Sequence, residues 1–340
     1  MKALSSLDIV GVVHELQGLV GAKVQKVYQI DDMLLFELYL KGQGAVKLLI
    51  KAGERIHLTR FKREMPKLPP AFCMLLRKYA EGASLSAVRQ HDFDRVVELE
   101  FESGKEKAKH ILIAELFSKG NLIFCDANYS IIQPLRVEFW KTRAIKPKAK
   151  YEFPPASPNL KEIEQEEFTY KLSQSSKTTV TTLAVIFGLG GEYAEKVCSD
   201  AKVDKTTPAN TLSPEQSAAV WAAAQHLLSI FKKASGLNEK IDETYSPEEF
   251  KKIREEADML YTKRKATAER REKELKEAIA GFSEKIEASK TKAEYIQTHH
   301  QEVQALIDGA NRLHSQGKGW DEIEKDLGVK TKDGKLILRL

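Results

Sequence analysis

The chain has 340 residues, of which 42% are apolar and 30% are charged, and its formal net charge is +5. These values indicate a globular protein of two or three domains with a highly charged helical part. Cys73, Cys125 and Cys198 lie far apart, which argues against a zinc knuckle or a disulfide framework and favours a reducing compartment such as the cytoplasm. Because no run of about twenty apolar residues occurs, neither a signal peptide nor a membrane anchor is expected.

Residues 1–155 are predicted to form one α+β domain. Ser6 is typical of the N-cap of a helix, and the apolar residues after it recur at helical spacing until Gly21. Short β-prone runs divided by Gly or Asp then predict an antiparallel meander over 24–30, 34–40, 46–50 and 56–61. A second helix is expected over 72–79, ending at Gly82.

The stretch 92–126 carries the pair of greatest interest. Apolar runs predict antiparallel strands over 96–101, 111–116 and 122–124, with two short ones near 131 and 151. The domain is therefore expected to be an antiparallel β-sandwich or flattened barrel. Asp94 and Arg95 stand at the head of the first of these strands, where a sheet can hold a side chain whose tip meets a ligand. Alternatively, Asp94 caps the turn and Arg95 pairs with a carboxylate such as Glu115.

Beyond residue 155 the composition changes. Prolines and an acidic run predict a linker over 156–175, and an alanine-rich stretch predicts a helical domain over 176–240. Within that domain, glycines separate two helices in the pattern of a helix-hairpin-helix. The backbone N–H groups of Gly188, Gly190 and Gly191 can then face a phosphate. The alternative is a structural αα-hairpin that binds nothing.

Residues 246–316 are predicted to form one long charged helix that begins at Ser246-Pro247. Its apolar positions between Ile279 and Ala310 alternate at spacings of three and four, which is the pattern of a coiled-coil seam. Such a stripe needs a partner helix that the chain does not supply. We therefore expect a fragment whose returning helix is missing, with dimerisation as the alternative. Residues 317–340 are expected to start a truncated middle segment with a short helix over 320–327 and a strand over 335–340.

Basic residues cluster over 55–67 and 136–150 with few acids among them, and Arg77 lies on the outer face of the second helix. Such clusters are typical of proteins that bind nucleic acid through its phosphates. The candidate RNA-phosphate contacts are Arg55, Arg60, Lys62, Arg63, Arg77, Arg136, Lys141, Arg143 and Lys146. The alternative for each of them is a solvated surface.

Several sequence blocks resemble the RqcH/NEMF family, whose members are also called NFACT proteins or fibronectin-binding protein A. The blocks are IKAGERIHLTRF, MPKLPPAFCMLLRKYAEG, QHDFDRVVELEF, HILIAELFSKGNLIFCD and FGLGGEYAEKV, followed by the long charged helix. The resemblance implies binding to large ribosomal subunits that hold peptidyl-tRNA after stalling. It also implies recruitment of charged tRNA, alanyl-tRNA in bacteria and archaea, for template-free C-terminal tailing. The family's Asp-Arg pair, needed for tRNA recruitment, matches Asp94 and Arg95.

Two other classes of function are weighed against this one. The family's N-terminal domain is similar in fold to the formamidopyrimidine-DNA glycosylases, which use an N-terminal proline as nucleophile. This chain begins Met1-Lys2-Ala3 and its first proline is Pro66, so glycosylase activity is not expected. No metal-ligand cluster, P-loop or nucleophile elbow occurs either, so we expect a protein without enzyme activity, metal or cofactor. The third class is a fibronectin-binding surface adhesin, which the free cysteines and the missing secretion signal argue against.

Overall fold

The computed structural model of the chain describes residues 3–66, 68–104, 108–140, 143–155, 157–332 and 335–337, apart from the side chains of residues 252 and 257. The chain divides into two compact units, Met1–Lys251 and Lys252–Leu340. Up to residue 155 the elements are α1 (Ser6–Leu16), a 3₁₀ turn (Gln17–Leu19), β1 (Lys23–Ile30), β2 (Met33–Leu40), β3 (Gly44–Lys51), β4 (Arg55–Leu58), α2 (Ala71–Ala80), β5 (Ser84–Gln90), β6 (Val96–Ser103), β7 (Ala108–Glu115), β8 (Asn121–Asp126), β9 (Ile131–Pro134), β10 (Glu138–Phe139) and β11 (Ala144–Ile145).

The rest of the described chain is mainly helical. Its elements are α3 (Gln165–Ser173), α4 (Thr179–Thr181), a π-helical turn (Thr182–Ile186), α5 (Gly191–Asp200), a 3₁₀ turn (Ala209–Thr211), α6 (Pro214–Phe231), α7 (Leu237–Thr298), α8 (His300–Ser315), α9 (Trp320–Leu327), β12 (Lys330–Lys332) and β13 (Lys335–Ile337). None of the described helices is both long and apolar enough to cross a membrane.

Strands β1 to β9 form one antiparallel sheet in the order β4-β3-β2-β1-β5-β6-β7-β8-β9. Its two halves, β1 to β4 and β5 to β9, share one pair in strand register, Lys23 with Ser84, and backbone bonds such as that from the Val24 N–H to the Ala83 carbonyl at 2.9 Å flank it. They fold over a shared apolar core, in which Phe36 of one half and Phe101 of the other stack with ring centroids 5.6 Å apart. The α+β class and the antiparallel sheet are therefore confirmed, and the two halves face each other as layers around one core.

Strand β5 is the one strand of this sheet that the sequence pattern did not predict. A buried face normally shows apolar residues two apart. In β5 the buried residues Leu85 and Val88 are three apart, because the register with β6 shifts between Leu85 and Ala87. This bulge inserts an extra residue and so hides the alternation.

Helix α1 begins with a capping box whose N-cap is Ser5, one residue before the predicted Ser6. The Ser5 hydroxyl accepts the Asp8 N–H at 3.1 Å, and the Asp8 carboxylate accepts the Ser5 N–H at 2.8 Å. The other oxygen of Asp8 accepts the Tyr193 hydroxyl at 2.5 Å. Ser6 instead is buried within the first turn of the helix.

The predicted linker over 156–175 is wrong in its second half, because α3 occupies residues 165–173. Phe168 of α3 is fully buried and its ring lies 4.4 Å from that of Phe187 and 5.1 Å from that of Trp221. Helices α3, α5 and α6 form a second apolar core, separate from that of the sheet, to which Leu7 of α1 also contributes. The helical part thus packs on the outer face of α1 inside the first unit rather than standing as a separate domain.

Helix α7 begins at Leu237, nine residues before the predicted start, and Pro247 lies inside it. The Glu15 carboxylate accepts the N–H groups of Leu237 at 2.6 Å and Asn238 at 3.2 Å, so a residue of α1 caps this helix. The single helix predicted over 246–316 is also interrupted, because His299 leaves helical geometry at φ −104° and ψ 27°.

Most of the apolar stripe predicted for a coiled coil lies on the surface of α7 and α8, but its last residue, Ala310, is buried. Ile279, Phe282, Ile286 and Ile296 are each between 47% and 63% exposed. Pairing of this stripe with another helix stays a prediction. Helix α9 begins at Trp320 as expected, and β13 pairs with β12; residues 338–340 of the predicted final strand lie outside the described residues.

Candidate nucleic-acid interface

Asp94 and Arg95 lie in the tight turn that connects β5 to β6. The Asp94 N–H donates to the His91 carbonyl at 3.0 Å, and the Asp94 Oδ1 accepts the Arg95 N–H at 2.7 Å. Asp92, which lies between His91 and Asp94 in this turn, has a positive φ of 44°. The carboxylate of Asp94 therefore stabilises the turn, as one of the two sequence interpretations proposed.

Three neighbouring elements hold the backbone of this turn. The Gln90 side-chain amide donates to the carbonyls of Ser6, in α1, and of Asp94, each at 2.9 Å. The Leu116 N–H, just beyond β7, donates to the Arg95 carbonyl at 2.8 Å. Gln90 was not predicted as a site residue; its partner in α1 is 84 positions away, so no local sequence pattern could reveal its role.

The guanidinium of Arg95 is half-buried, and within the described part of the chain no hydrogen bond or ion pair engages it. The expected alternative partner, Glu115, is occupied otherwise. Its Oε1 accepts Arg143 Nη1 at 2.6 Å and the Tyr151 hydroxyl at 2.9 Å. Burial raises the pKa of the Glu115 carboxyl, and the bonds from Arg143 and Tyr151 offset part of that rise. The alternative pairing of Arg95 with Glu115 is therefore wrong.

The predicted glycine hairpin lies against the same turn. Gly188 and Gly190 have positive φ values of 68° and 78°, which glycine adopts without strain. A Cβ on Gly188 would lie 3.5 Å from the Ser6 hydroxyl and 3.7 Å from the Phe93 carbonyl. The hairpin thus packs on α1 and on the Asp94-Arg95 turn, two features that the sequence did not connect.

The N–H groups of this hairpin are only partly available to a ligand. The Leu189 N–H donates to Leu183 and the Gly190 N–H donates to Ala184, each at 3.2 Å. The expectation that the Gly190 N–H faces a phosphate is therefore corrected. Gly191 is exposed at the start of α5.

Arg55 and Arg63 are corrections to the predicted phosphate contacts, because their side chains are 0% and 2% exposed. One oxygen of Glu249, in α7, lies 3.0 Å from a terminal nitrogen of each. Arg55 also pairs with Glu54 at 2.6 Å. These arginines anchor the first turns of α7 to the edge of the sheet and cannot reach an external phosphate.

Three further predicted contacts also bond to the protein. Arg77 Nε donates to the Val27 carbonyl at 2.8 Å, and Arg136 Nη2 donates to the Lys119 carbonyl at 2.8 Å. Arg143 is held by Glu115, as described above. These side chains have a structural role that competes with any phosphate contact.

The predicted contacts that remain on the surface are Arg60, Lys62 and Lys146. Lys62 and Lys146 are exposed, and the Arg60 side chain is 74% exposed although it pairs with Glu239. Lys141 lies outside the described residues.

In the described ranges, no group of three or more His, Cys, Asp or Glu could hold a metal ion. All three cysteines are free and buried, and burial raises the pKa of the Cys125 thiol to about 12. Chemically, the planar guanidinium of Arg95 can donate paired hydrogen bonds to a carboxylate or a phosphate.

Comparison with known proteins matches residues 5–268 to the family described as NFACT N-terminal and middle domains. The Archaeal Rqc2 homolog aRqcH of Methanocaldococcus jannaschii is 40% identical over 236 residues, which cover 66% of this chain and 35% of that protein. The Ribosome quality control complex subunit NEMF of Homo sapiens is 33% identical over 39% of this chain and 12% of its own length. The chain thus spans about a third or less of these relatives.

Solved structures support the fold. The N-terminal part of the fibronectin/fibrinogen-binding protein from Streptococcus suis aligns at a TM-score of 0.56 and 23% identity, over 67% of this chain and 85% of that one. The MutM (Fpg) protein of Thermus thermophilus aligns only at a TM-score of 0.37 and 15% identity. The expected fold similarity to the glycosylases therefore stays a prediction.

Proposed function

The chain belongs to the NFACT family, and on that basis we propose that it is an RNA-binding factor of ribosome-associated quality control. It binds large ribosomal subunits that hold stalled peptidyl-tRNA and recruits charged tRNA, alanyl-tRNA in particular, for template-free C-terminal tailing. Relatives whose names place them in ribosome quality control support the process. We infer that the chain acts in the cytoplasm by binding alone, without catalysing a reaction.

The state of Arg95 carries this proposal. Its turn is held by bonds from Gln90 and Leu116, while its guanidinium has no bond to the described residues. A rigid backbone lowers the conformational entropy that binding costs. An unpaired guanidinium presents a planar fork of N–H donors, which matches two oxygens of a phosphate or the acceptor edge of guanine.

Asp94 has a second, complementary role. Its Oδ1 is used by the Arg95 N–H, whereas its Oδ2 has no bond to the residues that the structure describes. That oxygen can orient the Arg95 guanidinium or accept from a base amino group. Arg60, Lys62 and Lys146 add the part of the RNA affinity that does not depend on sequence and that weakens with salt.

The helical segments complete the proposal. We infer that the glycine hairpin positions the Asp94-Arg95 turn and that Gly191, at the start of α5, is the hairpin glycine closest to the RNA. The exposed part of the stripe, from Ile279 to Ile307, pairs with a returning helix of a longer chain, and this coiled coil spans the distance to the stalled subunit.

Replacement of Arg95 by alanine is expected to weaken tRNA binding by about tenfold or more, since a bidentate contact contributes roughly 1–3 kcal/mol. Arg95→Lys keeps the positive charge but loses the planar fork of N–H donors. Its tRNA affinity is therefore expected to lie between those of wild type and Arg95→Ala. Filter retention of tRNA at low and moderate salt measures the effect. Asp94→Asn tests the carboxylate in the same assay.

Arg89→Ala is the matched control, because Arg89 is a half-exposed arginine of the adjacent strand that pairs with Glu100. It removes the same charge and is expected to change tRNA retention by less than about twofold. Equal retention by wild type, Arg95→Ala and Arg89→Ala would remove the pair from the RNA site.

A further inference from the structure

A short hairpin on the first unit presents two aromatic rings to solvent. It consists of β10 and β11, and its described residues, 138–140 and 143–145, are here called the aromatic hairpin. Phe139 is 71% exposed and Trp140 is 55% exposed. Large aromatic side chains contribute most to stability when they are buried, so two adjacent exposed rings point to a ligand.

The aromatic hairpin is held in place without these rings. Ile145 is buried in the core that β6 to β9 form on their outer face. Arg143, at the base of β11, is bound by Glu115 at 2.6 Å. On the other side, the fully buried Asn121 donates to the Arg136 carbonyl at 2.8 Å and accepts its N–H at 3.1 Å. Buried contacts therefore anchor both flanks of the rings, and the exposed rings themselves add little to this anchoring.

One lysine lies beside the rings, and two more exposed lysines follow in the chain. Lys146 Nζ lies 6.0 Å from the centroid of the Phe139 ring, and Lys148 and Lys150 are exposed on the same segment. The acid of the hairpin, Glu138, lies 3.7 Å from the Arg136 guanidinium and is partly neutralised by it. Lysines that contact phosphates beside rings that stack on bases are the combination that binds unpaired nucleotides.

The aromatic hairpin is also linked to the Asp94-Arg95 turn. Glu115, which binds Arg143 of the hairpin, is the last residue of β7 and pairs with Val96 in the sheet. The next residue, Leu116, donates to the Arg95 carbonyl. We propose that Phe139 and Trp140 stack on unpaired bases of the same RNA that Arg95 contacts, an inference that rests on the proposed function and names a second subsite for it.

The test compares three RNAs: a single strand of about twelve nucleotides, the same strand annealed to its complement, and tRNA. Phe139→Ala and Trp140→Ala are each expected to weaken single-strand binding by about tenfold or more, because stacking on each base is lost. Trp140→Phe keeps a ring and is expected to stay within about threefold of wild type. Duplex binding is expected to be unchanged, since paired bases cannot stack on the rings.

Tyr170→Ala is the control for loss of an exposed ring, because Tyr170 is 65% exposed on α3; single-strand binding is expected to be unchanged. If Trp140→Ala and Phe139→Ala bind the single strand as tightly as wild type, the proposal fails and the rings serve another class of partner, such as a protein. If both ring variants bind the single strand like wild type while Arg95→Ala weakens tRNA binding, the stacking proposal fails and the proposed function stands. If wild type does not retain tRNA at all, the proposed function fails, whatever the single strand shows.

Discussion

Replacement of Glu249 by alanine is expected to destabilise the first unit by about 3–5 kcal/mol, because it leaves buried positive charge without its partner. One oxygen of Glu249 is 3.0 Å from both Arg55 Nη2 and Arg63 Nη2. Arg63 would keep the hydroxyls of Thr59 and Ser246, the Phe61 carbonyl and the Phe250 ring. Arg55 would keep Glu54 and the Tyr245 ring. Charged donors in a buried place need an anionic acceptor, and Glu249 is the one that they share.

Urea unfolding monitored by circular dichroism measures this loss. Glu248→Ala is the matched control, because Glu248 is the exposed neighbour of Glu249 on α7; a change below about 0.5 kcal/mol is expected for it. Glu249→Gln keeps a hydrogen-bond acceptor but loses the negative charge. Its loss of unfolding free energy is expected to lie between those of Glu248→Ala and Glu249→Ala. Indistinguishable unfolding midpoints for Glu249→Ala and Glu248→Ala would show that the buried cluster does not anchor α7.

Replacement of Gly120 by alanine is expected to destabilise the fold by about 4 kcal/mol or more, an exceptional value for a single methyl group. Gly120 lies in the turn between β7 and β8, where a Cβ would be 1.8 Å from the Gly53 nitrogen and 2.4 Å from the Glu115 carbonyl. The Gly53 N–H donates to that same carbonyl at 2.9 Å. Because both contacts are backbone atoms, no side-chain rotation can make room.

Gly82→Ala separates this clash from backbone strain. Gly82 has a φ of 81° against 62° for Gly120, but a Cβ at Gly82 would meet nothing within 4 Å. It is therefore expected to cost only about 1 kcal/mol, the price of a left-handed alanine. The difference in thermal stability between Gly120→Ala and Gly82→Ala therefore measures the cost of the clash between the added Cβ and the backbone of Gly53 and Glu115. Equal losses would mean that the turn of β7 and β8 moves away from Gly53 at little cost.

The parts of the fold that sequence reasoning predicted correctly are those with local causes. The meander of β1 to β4 and the strands β6 to β8 follow from alternating apolar residues and glycine or polar turns, which act within a few residues. Helix α2 ends at Ala80, close to the predicted stop at Gly82. Each of these features depends on near neighbours in the chain.

The errors have causes that are distant in sequence. Helix α7 begins at Leu237 because Glu15 caps it from 222 positions away. Arg55 and Arg63 belong to a basic stretch that is typical of an RNA-binding surface, yet Glu249 draws both into the interior. A cluster of positive charge in a sequence carries no information on acids that fold back onto it.

The candidate site shows the same division. The position of Asp94 and Arg95 at the head of β6 was predictable from the apolar run after them. Their support by Gln90 and Leu116 was not predictable, since it depends on contacts of the turn with α1, β5 and the residue after β7. Phe139 and Trp140 were overlooked although they lie inside the basic stretch 136–150, because aromatic residues in a strand pattern are usually buried.

Crosslinking of the protein to RNA in the cells that produce it, followed by sequencing of the bound RNA, tests the central claim most directly. The claim is that the Asp94-Arg95 turn binds tRNA on a protein that is held to the large ribosomal subunit by other surfaces. Wild type is expected to yield tRNA and large-subunit ribosomal RNA, and Arg95→Ala is expected to lose the tRNA reads while it keeps the ribosomal ones. Equal tRNA reads from both proteins, or no enrichment of tRNA from wild type, would contradict the account.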